Sequence, residues 1–424
     1  MKKIDIINFE WSSDKARDQE SSSLILNYLV HQGYKVAKAP IHKYKKYLQI
    51  FSPKIIFVSN IAGAKINVEL AEFAKKKNIS LITGFGEGNF RKENLEEFIW
   101  GWNRNQEILF KKIFCWNSFA YKSLIELGEN ISKKARLTGS PGHDKYKVIP
   151  FKKTNKKITI GIGCWGFGYY EVNKSKESHF FLEAREKFNN ILISFIESQP
   201  NIEFIIKLHP GETLGLWGNG VERCDEYQNV KILYLESIQE AIAESDIWLT
   251  FDSTTTIDAW LAGKETFRLN PDNISWEPRE KFFDAQINAN NLNELNEYLE
   301  HFKKHRKLPR SNEFEEIKQR YIESMIYRSD GLNHVRCGNE IIQTIQNIPS
   351  HQDHILTVED KLDVLITDIK HFLKILFKIP SKGAENSKNW NLDNLLNWSG
   401  ELYRYQKKFY KDLNLSREKL LELE

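Results

Sequence analysis

The sequence has few cysteines, and their spacing argues against two common kinds of stabilised domain. Among the 424 residues no two cysteines have the C-x-x-C spacing, and the four present are Cys115, Cys164, Cys224 and Cys337. Neither a zinc site nor a disulfide framework is expected from this distribution. Scattered thiols of this kind are typical of a reducing compartment, so we expect a cytoplasmic protein.

Long apolar runs and an excess of one charge are also missing. No run approaches the roughly 18 apolar residues that a membrane-spanning helix needs. The residues after Met1 lead into the strand-like Ile4–Asn8 without the apolar core of a signal peptide. The formal net charge is only +4, and no array of basic and aromatic residues stands out. We therefore expect no spanning helix, no leader sequence and no nucleic-acid partner.

Apolar residues are abundant, by contrast, and their pattern predicts two domains with an appendage. Hydrophobic residues make up 41% of the chain, and 424 residues exceed one ordinary domain. Strand-like and helical segments alternate, which indicates parallel α/β sheets with helices on both faces. The basic, irregular stretch Lys145–Lys157 predicts a linker near residue 150. The predicted domains are residues 1–150, residues 151–348 and a helical extension at 349–424.

Two strands of the predicted second domain stop abruptly on polar groups. The apolar run Glu203–Leu208 is followed by His209-Pro210, where the proline cannot continue a strand ladder. The run Ile247–Phe251 is followed by Ser253, Thr254 and Thr255 before a predicted helix. Ligands of parallel sheets bind at the carboxyl ends of strands, and hydroxyl and N–H groups at a helix start suit a phosphate. The alternatives are a core histidine and a simple helix cap.

A glycine-rich segment follows another strand of the same domain. The strand-like Ile158–Gly163 leads into glycines that lack both the G-x-G-x-x-G spacing and a Walker lysine, so neither NAD nor ATP is indicated. We expect Gly163 to let the backbone approach a bound ligand, with a tight turn as the alternative. Trp165 could stack on a ring of such a ligand or simply line the site.

The first domain offers several carboxylates and one histidine as candidates for catalysis. Glu87 follows a predicted strand and stands between glycines, where it could act as a general base within about 3 Å of an acceptor hydroxyl. Glu10 and Asp14, near the end of the first strand, are rival bases, and His143 is a possible cleft residue beside the linker. No cluster of metal-ligating residues stands out, so we expect neither a metal nor a cofactor.

These motifs resemble those of bacterial surface-carbohydrate glycosyltransferases of the GT-B fold. Lys-x-His-Pro and, about 40 residues later, Asp-Ser-Thr-Thr are similar to the donor-binding motifs of CMP-sugar-dependent sialyl-, polysialyl- and Kdo-type transferases. The resemblance implies two Rossmann-like domains facing a cleft. It implies a donor site at His209, Pro210, Glu212 and the hydroxyl cluster, and a general base at Glu87 within an acidic-Gly motif. Gly86 departs from that motif, since a second acidic residue often stands there.

The function implied is transfer of a sugar from a nucleotide-activated donor to a hydroxyl of a capsule or lipopolysaccharide glycan, without a metal. A CMP-activated acidic sugar is the preferred donor. CDP-glycerol glycerophosphotransferases and UDP-N-acetylglucosamine 2-epimerases share the His-Pro arrangement and are alternatives. An alternative of another class is a non-catalytic scaffold of a capsule assembly complex.

The segment 358–379 has the spacing of an amphipathic helix, with two interpretations. Its apolar side could pack on the catalytic domains, or it could rest on the inner face of the plasma membrane, where a lipid-linked acceptor would be found. From Lys361 to Lys382 there are five lysines and two aspartates, a local net charge of +3. Such a charge gives a modest attraction for anionic lipid.

Overall fold

The computed structural model describes most of the chain as two compact units. The first unit is Met1–Pro150 together with Glu323–Glu424, and the second is Phe151–Ile322. The described residues are 2–10, 17–59, 65–84, 109–154, 156–167, 178–209, 220–234, 236–251, 253–271, 284–348, 356–377 and 400–423.

The described residues of the first unit form a six-stranded parallel sheet with the strand order β2-β1-β3-β4-β5-β6. The strands are β1 (Lys2–Glu10), β2 (Val36–Pro40), β3 (Phe51–Val58), β4 (Ser80–Gly84), β5 (Lys112–Cys115) and β6 (Ala135–Leu137). Ile6 and Ile7 belong to different apolar cores because successive side chains of a strand point to opposite faces. Helices cover both faces, so the strands are apolar almost throughout.

The helices of the first unit come from both ends of the chain. Those of the amino-terminal part are Arg17–His31, Tyr44–Ile50, Lys65–Lys76, Ser118–Glu126, Glu129–Ser132 and Lys145–Val148. Those of the carboxyl-terminal part are Asn333–Gln346, Val358–Leu376, Gly400–Asp412 and Arg417–Leu421. None of the described helices contains a stretch that is long and apolar enough to cross a membrane.

In its described residues the second unit also forms a six-stranded parallel sheet, in the order β12-β11-β10-β7-β8-β9. Its strands are β7 (Thr159–Gly163), β8 (Glu203–Lys207), β9 (Val230–Leu233), β10 (Ile247–Thr250), β11 (Glu265–Leu269) and β12 (Ile287–Ala289). Its helices are Ser178–Ser198, Ile238–Glu244, Thr255–Leu261, Leu292–His305 and Ser311–Ile326, the last of which crosses the unit boundary. This is the strand order of a Rossmann sheet, and it reverses direction between β7 and β10. The prediction of two Rossmann-like α/β domains is confirmed.

The carboxyl-terminal boundaries differ from the prediction. The second unit ends at Ile322 instead of residue 348, and 349–424 belongs to the first unit instead of forming a separate extension. The physical reason is the helix Asn333–Gln346, whose apolar side, including Ile341, packs in the same core as Ile25 and Tyr28 of the first unit. The amphipathic pattern of that helix predicts which of its sides is buried, but it does not predict the core in which that side packs.

A buried polar network also ties the carboxyl-terminal helices into the first unit. Asp144 Oδ2 accepts hydrogen bonds from the His334 backbone N–H at 2.6 Å and from its ring Nδ1 at 2.8 Å. The other ring nitrogen, Nε2, lies 2.6 Å from the Tyr410 hydroxyl, which also accepts from Gln406 Nε2 at 2.7 Å. Burial raises the pKa of Asp144, and the hydrogen bonds from His334 oppose that rise. Asp144 and His334 therefore have a structural role in this fold.

Candidate functional site

Three neighbouring strands of the second sheet end at the same edge. β7 lies between β10 and β8, so that Gly163 stands opposite Thr250 on one side and Lys207 on the other. The segments that follow these strands include Trp165, His209 and the hydroxyl cluster, and they leave the sheet side by side. The edge includes the point where the strand order reverses, which is where ligands bind in open α/β sheets.

Gly163 lets the helix Thr255–Leu261 begin close to β7. A Cβ atom on Gly163 would lie 2.5 Å from Thr255 Oγ1 and 3.0 Å from the Trp248 indole. Trp248 Nε1 donates a hydrogen bond to Thr255 Oγ1 at 3.0 Å, which fixes that hydroxyl beside the end of the strand. The absence of a side chain at Gly163 is therefore required for packing. The approach of a donor at this position stays a prediction.

The three hydroxyls of the cluster differ in what they contact. Ser253 is buried, and its Oγ accepts from the Thr255 backbone N–H at 3.3 Å and from Thr255 Oγ1 at 3.0 Å. Thr254 is exposed and precedes the helix without a hydrogen bond from its side chain to the helix. The helix begins at Thr255 itself, so the last residue of the predicted hydroxyl cluster lies within the helix. Ser253 therefore supports the local turn, whereas the Thr254 hydroxyl is accessible to a ligand.

His209 lies two residues after the end of β8. Leu208 N donates to Leu233 O at 3.1 Å, and His209 is half-buried. A Cβ atom on Gly166 would lie 3.5 Å from the His209 ring, so the two segments approach each other at ordinary contact distance. The predicted donor residues Pro210 and Glu212 lie outside the described residues.

The Trp165 ring packs against phenylalanine side chains. Its centre lies 4.9 Å from that of Phe167, 5.1 Å from that of Phe181 and 5.4 Å from that of Phe251. Aromatic pairs at these separations stabilise a core beyond the area that they bury. The cluster holds the segment after β7 in place, and it accounts for Trp165 without a sugar ligand.

Arg268 is a candidate that sequence reasoning missed. The register of β10 and β11 places it opposite Thr250, and its Nε donates to Phe251 O at 2.9 Å. The half-buried guanidinium carbon lies 5.9 Å from the centre of the Phe251 ring. Arg268 thereby brings a permanent positive charge to the edge that carries the hydroxyl cluster. An arginine in the strand that follows the cluster is the sequence signal that could have indicated it.

The corresponding edge of the first sheet carries a buried carboxylate. β1 lies between β2 and β3, and Glu10 is its last residue. Glu10 Oε1 accepts from Asn8 Nδ2 at 2.9 Å and from Ser59 Oγ at 2.5 Å. All three residues are buried, with Glu10 only 3% exposed. The rival base Asp14 and the preferred base Glu87 both lie outside the described residues.

His143 is half-buried beside a small pocket of the first unit. Its Nδ1 lies 2.7 Å from Ser140 Oγ, and its ring meets the Trp116 ring edge-on at 5.5 Å between centres. Trp116, Ser59 and Gly84 line the pocket together with residues of the neighbouring helices. His143 therefore contacts Trp116, which is one of the residues that line this pocket. Among the described residues, no group of three or more side chains has the composition of a metal site.

Comparisons with known proteins establish the fold. No family model matches the sequence, and no curated protein matches it. Solved structures do: a UDP-N-acetylglucosamine 2-epimerase has a TM-score of 0.52 at 11% identity, with 84% of this chain and 100% of that chain covered. The S. aureus protein MnaA, in a structure with UDP, has a TM-score of 0.52 at 12% identity and the same coverage. The wall teichoic acid polymerase TagF has a TM-score of 0.55 at 11% identity, with 82% of this chain and 90% of that chain covered. This chain has a GT-B fold.

Proposed function

We propose that this protein is a glycosyltransferase that moves a sugar from a nucleotide-activated donor to a hydroxyl of a bacterial surface glycan. The observation that carries the proposal is the edge where β8, β7 and β10 end together. Half-buried His209 and exposed Thr254 follow β8 and β10, the two strands that flank β7. Pro210, Glu212, Ser253 and Thr255 complete the proposed donor site.

The chemistry of this edge suits a phosphate leaving group. The His209 ring and the Thr254 hydroxyl can each donate a hydrogen bond to a phosphate oxygen. Arg268 adds a positive charge that does not depend on pH. As the bond to the anomeric carbon breaks, negative charge develops on the phosphate, and groups already held in place stabilise it. This arrangement could assist departure of the nucleotide without a metal ion.

The acceptor would bind to the first unit, where Glu87 is the proposed general base. Glu10 is less suited to that role, because its carboxylate is buried and one oxygen already accepts two hydrogen bonds. Asp14 is a further alternative near the same strand end. Replacing each carboxylate by its amide would identify the base: only Glu87→Gln is expected to abolish turnover while leaving nucleotide binding intact.

We propose a CMP-activated acidic sugar as the donor, and two related activities are the alternatives. One of the TagF structures with the same fold was soaked with CDPG, at a TM-score of 0.52. MnaA was solved with UDP. These ligands favour a glycerophosphotransferase and a nucleotide-sugar 2-epimerase as second candidates on the same scaffold.

The decisive experiment supplies the full chain with a CMP-activated sialic acid or Kdo, CDP-glycerol or UDP-N-acetylglucosamine, with and without a glycan acceptor. We expect release of CMP that requires the acceptor, and no release by His209→Ala. An epimerase would convert UDP-N-acetylglucosamine without an acceptor, and a glycerophosphotransferase would consume CDP-glycerol. Nucleotide binding that is unaffected by His209→Ala, with no turnover of any donor, would favour the non-catalytic scaffold and contradict the proposal.

A further inference from the structure

The helix Val358–Leu376, here called the inverted helix, docks on the first unit through its charged side. Lys45 Nζ lies 2.6 Å from Asp363 Oδ2, and Lys46 Nζ lies 2.6 Å from Asp368 Oδ2. Both lysines belong to the helix Tyr44–Ile50. The acidic side chains of the inverted helix are therefore neutralised by the protein to which it is attached.

The start of the inverted helix is fixed by a reciprocal cap. Asp360 N donates to Thr357 Oγ1 at 3.1 Å, and Thr357 N donates to Asp360 Oδ2 at 3.2 Å. Asp360 is buried and also lies 3.5 Å from Lys77 Nζ. Leu356, just before the cap, is 3% exposed within the core of the first unit. These contacts define which side of the helix faces the protein.

The opposite side of the inverted helix is an apolar stripe that is exposed to solvent. Seven of its large side chains are between 40% and 62% exposed: Leu362, Leu365, Ile366, Ile369, Phe372, Leu373 and Leu376. Their spacing of three and four residues puts them on one face. A helix of a globular protein normally turns such a face to the core, and a contiguous exposed patch of this kind marks an interaction surface.

Lysines border this stripe on both sides. At about 100° per residue, Lys361 lies beside the edge formed by Leu365 and Phe372. Lys370 lies beside the edge formed by Ile366 and Leu373, together with the exposed Glu359. Both lysines are exposed. Lysine stems can lie along an apolar surface while their ammonium groups remain at the level of lipid phosphates. An apolar face with basic borders is typical of a helix that lies in the plane of an anionic bilayer surface.

We propose that the inverted helix binds the surface of an anionic lipid bilayer, with the stripe at the boundary between headgroups and acyl chains. The charge distribution decides between this partner and a second copy of the chain. Asp360, Asp363 and Asp368 are paired with lysines of the first unit, so the exposed Lys361 and Lys370 outweigh Glu359 beside the stripe. A second copy would present the same positive charge, which opposes pairing, whereas anionic lipid attracts it. The proposal goes beyond sugar transfer and does not depend on the identity of the donor.

The test is co-sedimentation of the full chain with vesicles. We expect binding to vesicles of phosphatidylglycerol and phosphatidylethanolamine in equal amounts, and much weaker binding to phosphatidylcholine alone. The double variant Leu365→Ser with Ile369→Ser should bind the anionic vesicles at least tenfold more weakly, because two apolar side chains are removed from the stripe. Leu413→Ser, at a residue that is 46% exposed off the stripe, is the matched control and should bind like the parent.

A second pair of variants tests the basic borders. Lys361→Gln and Lys370→Gln should each weaken binding to anionic vesicles about fivefold and leave binding to phosphatidylcholine unchanged. Equal binding of the parent and the double serine variant to anionic vesicles would overturn the proposal. So would a dimer in sedimentation equilibrium that the double serine variant converts to a monomer. Nucleotide affinity should be the same in all these proteins, which separates this test from that of the donor site.

Discussion

The carboxyl edges of the two sheets both carry polar side chains where the strand order reverses, but they differ in burial. In the first sheet, Asn8, Glu10 and Ser59 are buried and bonded to one another. In the second sheet, His209 is half-buried and Thr254 is exposed. Buried polar groups must be paired because desolvation is costly, whereas groups that bind a ligand must remain accessible. The burial of the first cluster supports a structural role, and the exposure at the second edge is compatible with the proposed ligand site.

The largest effect on stability is expected at Glu10. In Glu10→Ala, the Ser59 hydroxyl and one donor of Asn8 lose their buried acceptor, so the free energy of unfolding should fall by about 3 kcal/mol. Urea unfolding measures this loss, and nucleotide affinity should be unchanged. A Glu10→Ala protein of normal stability that no longer binds nucleotide would reverse the roles assigned to the two edges.

Two glycines of the second edge should respond differently to a methyl group. Gly163→Ala places a Cβ atom 2.5 Å from Thr255 Oγ1, so overpacking should lower the free energy of unfolding by about 1 to 3 kcal/mol. In Gly166→Ala the nearest atoms belong to the His209 ring, at an ordinary contact distance of 3.5 Å, so stability should change by no more than about 0.5 kcal/mol. Thermal unfolding of both variants compares them directly. Equal losses would show that the segment after β7 is packed as tightly as the strand itself.

The smallest effects on stability are expected within the hydroxyl cluster. Ser253→Ala removes the acceptor for the Thr255 backbone N–H and should cost about 1 kcal/mol of folding free energy. Thr254→Ala should leave stability within about 0.5 kcal/mol and weaken nucleotide binding about tenfold, because its exposed hydroxyl is proposed to bind phosphate. Chemical unfolding measures the stability of both variants, and nucleotide titration measures their affinity. A Thr254→Ala protein with full affinity would contradict the proposed contact between its hydroxyl and phosphate.

The sequence predicts those features of the site that depend on local signals. Apolar periodicity and Pro210 mark the end of the strand before His209, and the hydroxyl cluster marks the end of β10. An arginine in the next strand is visible in the sequence, but its place opposite Thr250 depends on the register between β10 and β11. No local pattern in either strand specifies that register.

The carboxyl-terminal helices show a second limit of local signals. The amphipathic pattern of the inverted helix predicts a helix with one apolar side, and the usual expectation is that this side faces a core. The structure turns it outward because Lys45 and Lys46, on a distant helix, supply ionic partners for the acidic side. Likewise, the helix Asn333–Gln346 packs in the first unit because it contacts the core that contains Ile25 and Tyr28. Its own sequence pattern does not identify that core.

The central claim is that the edge formed by β8, β7 and β10 binds a nucleotide, and calorimetric titration of CMP, CDP, UDP and GDP into the parent protein and His209→Ala tests it most directly. We predict that CMP binds the parent, and that His209→Ala lowers the affinity ten- to a hundredfold through loss of a charge-assisted hydrogen bond. The melting temperature without ligand should be unchanged, since His209 is only half-buried. If no nucleotide binds the parent, or if His209→Ala binds with equal affinity, the account of this site is contradicted.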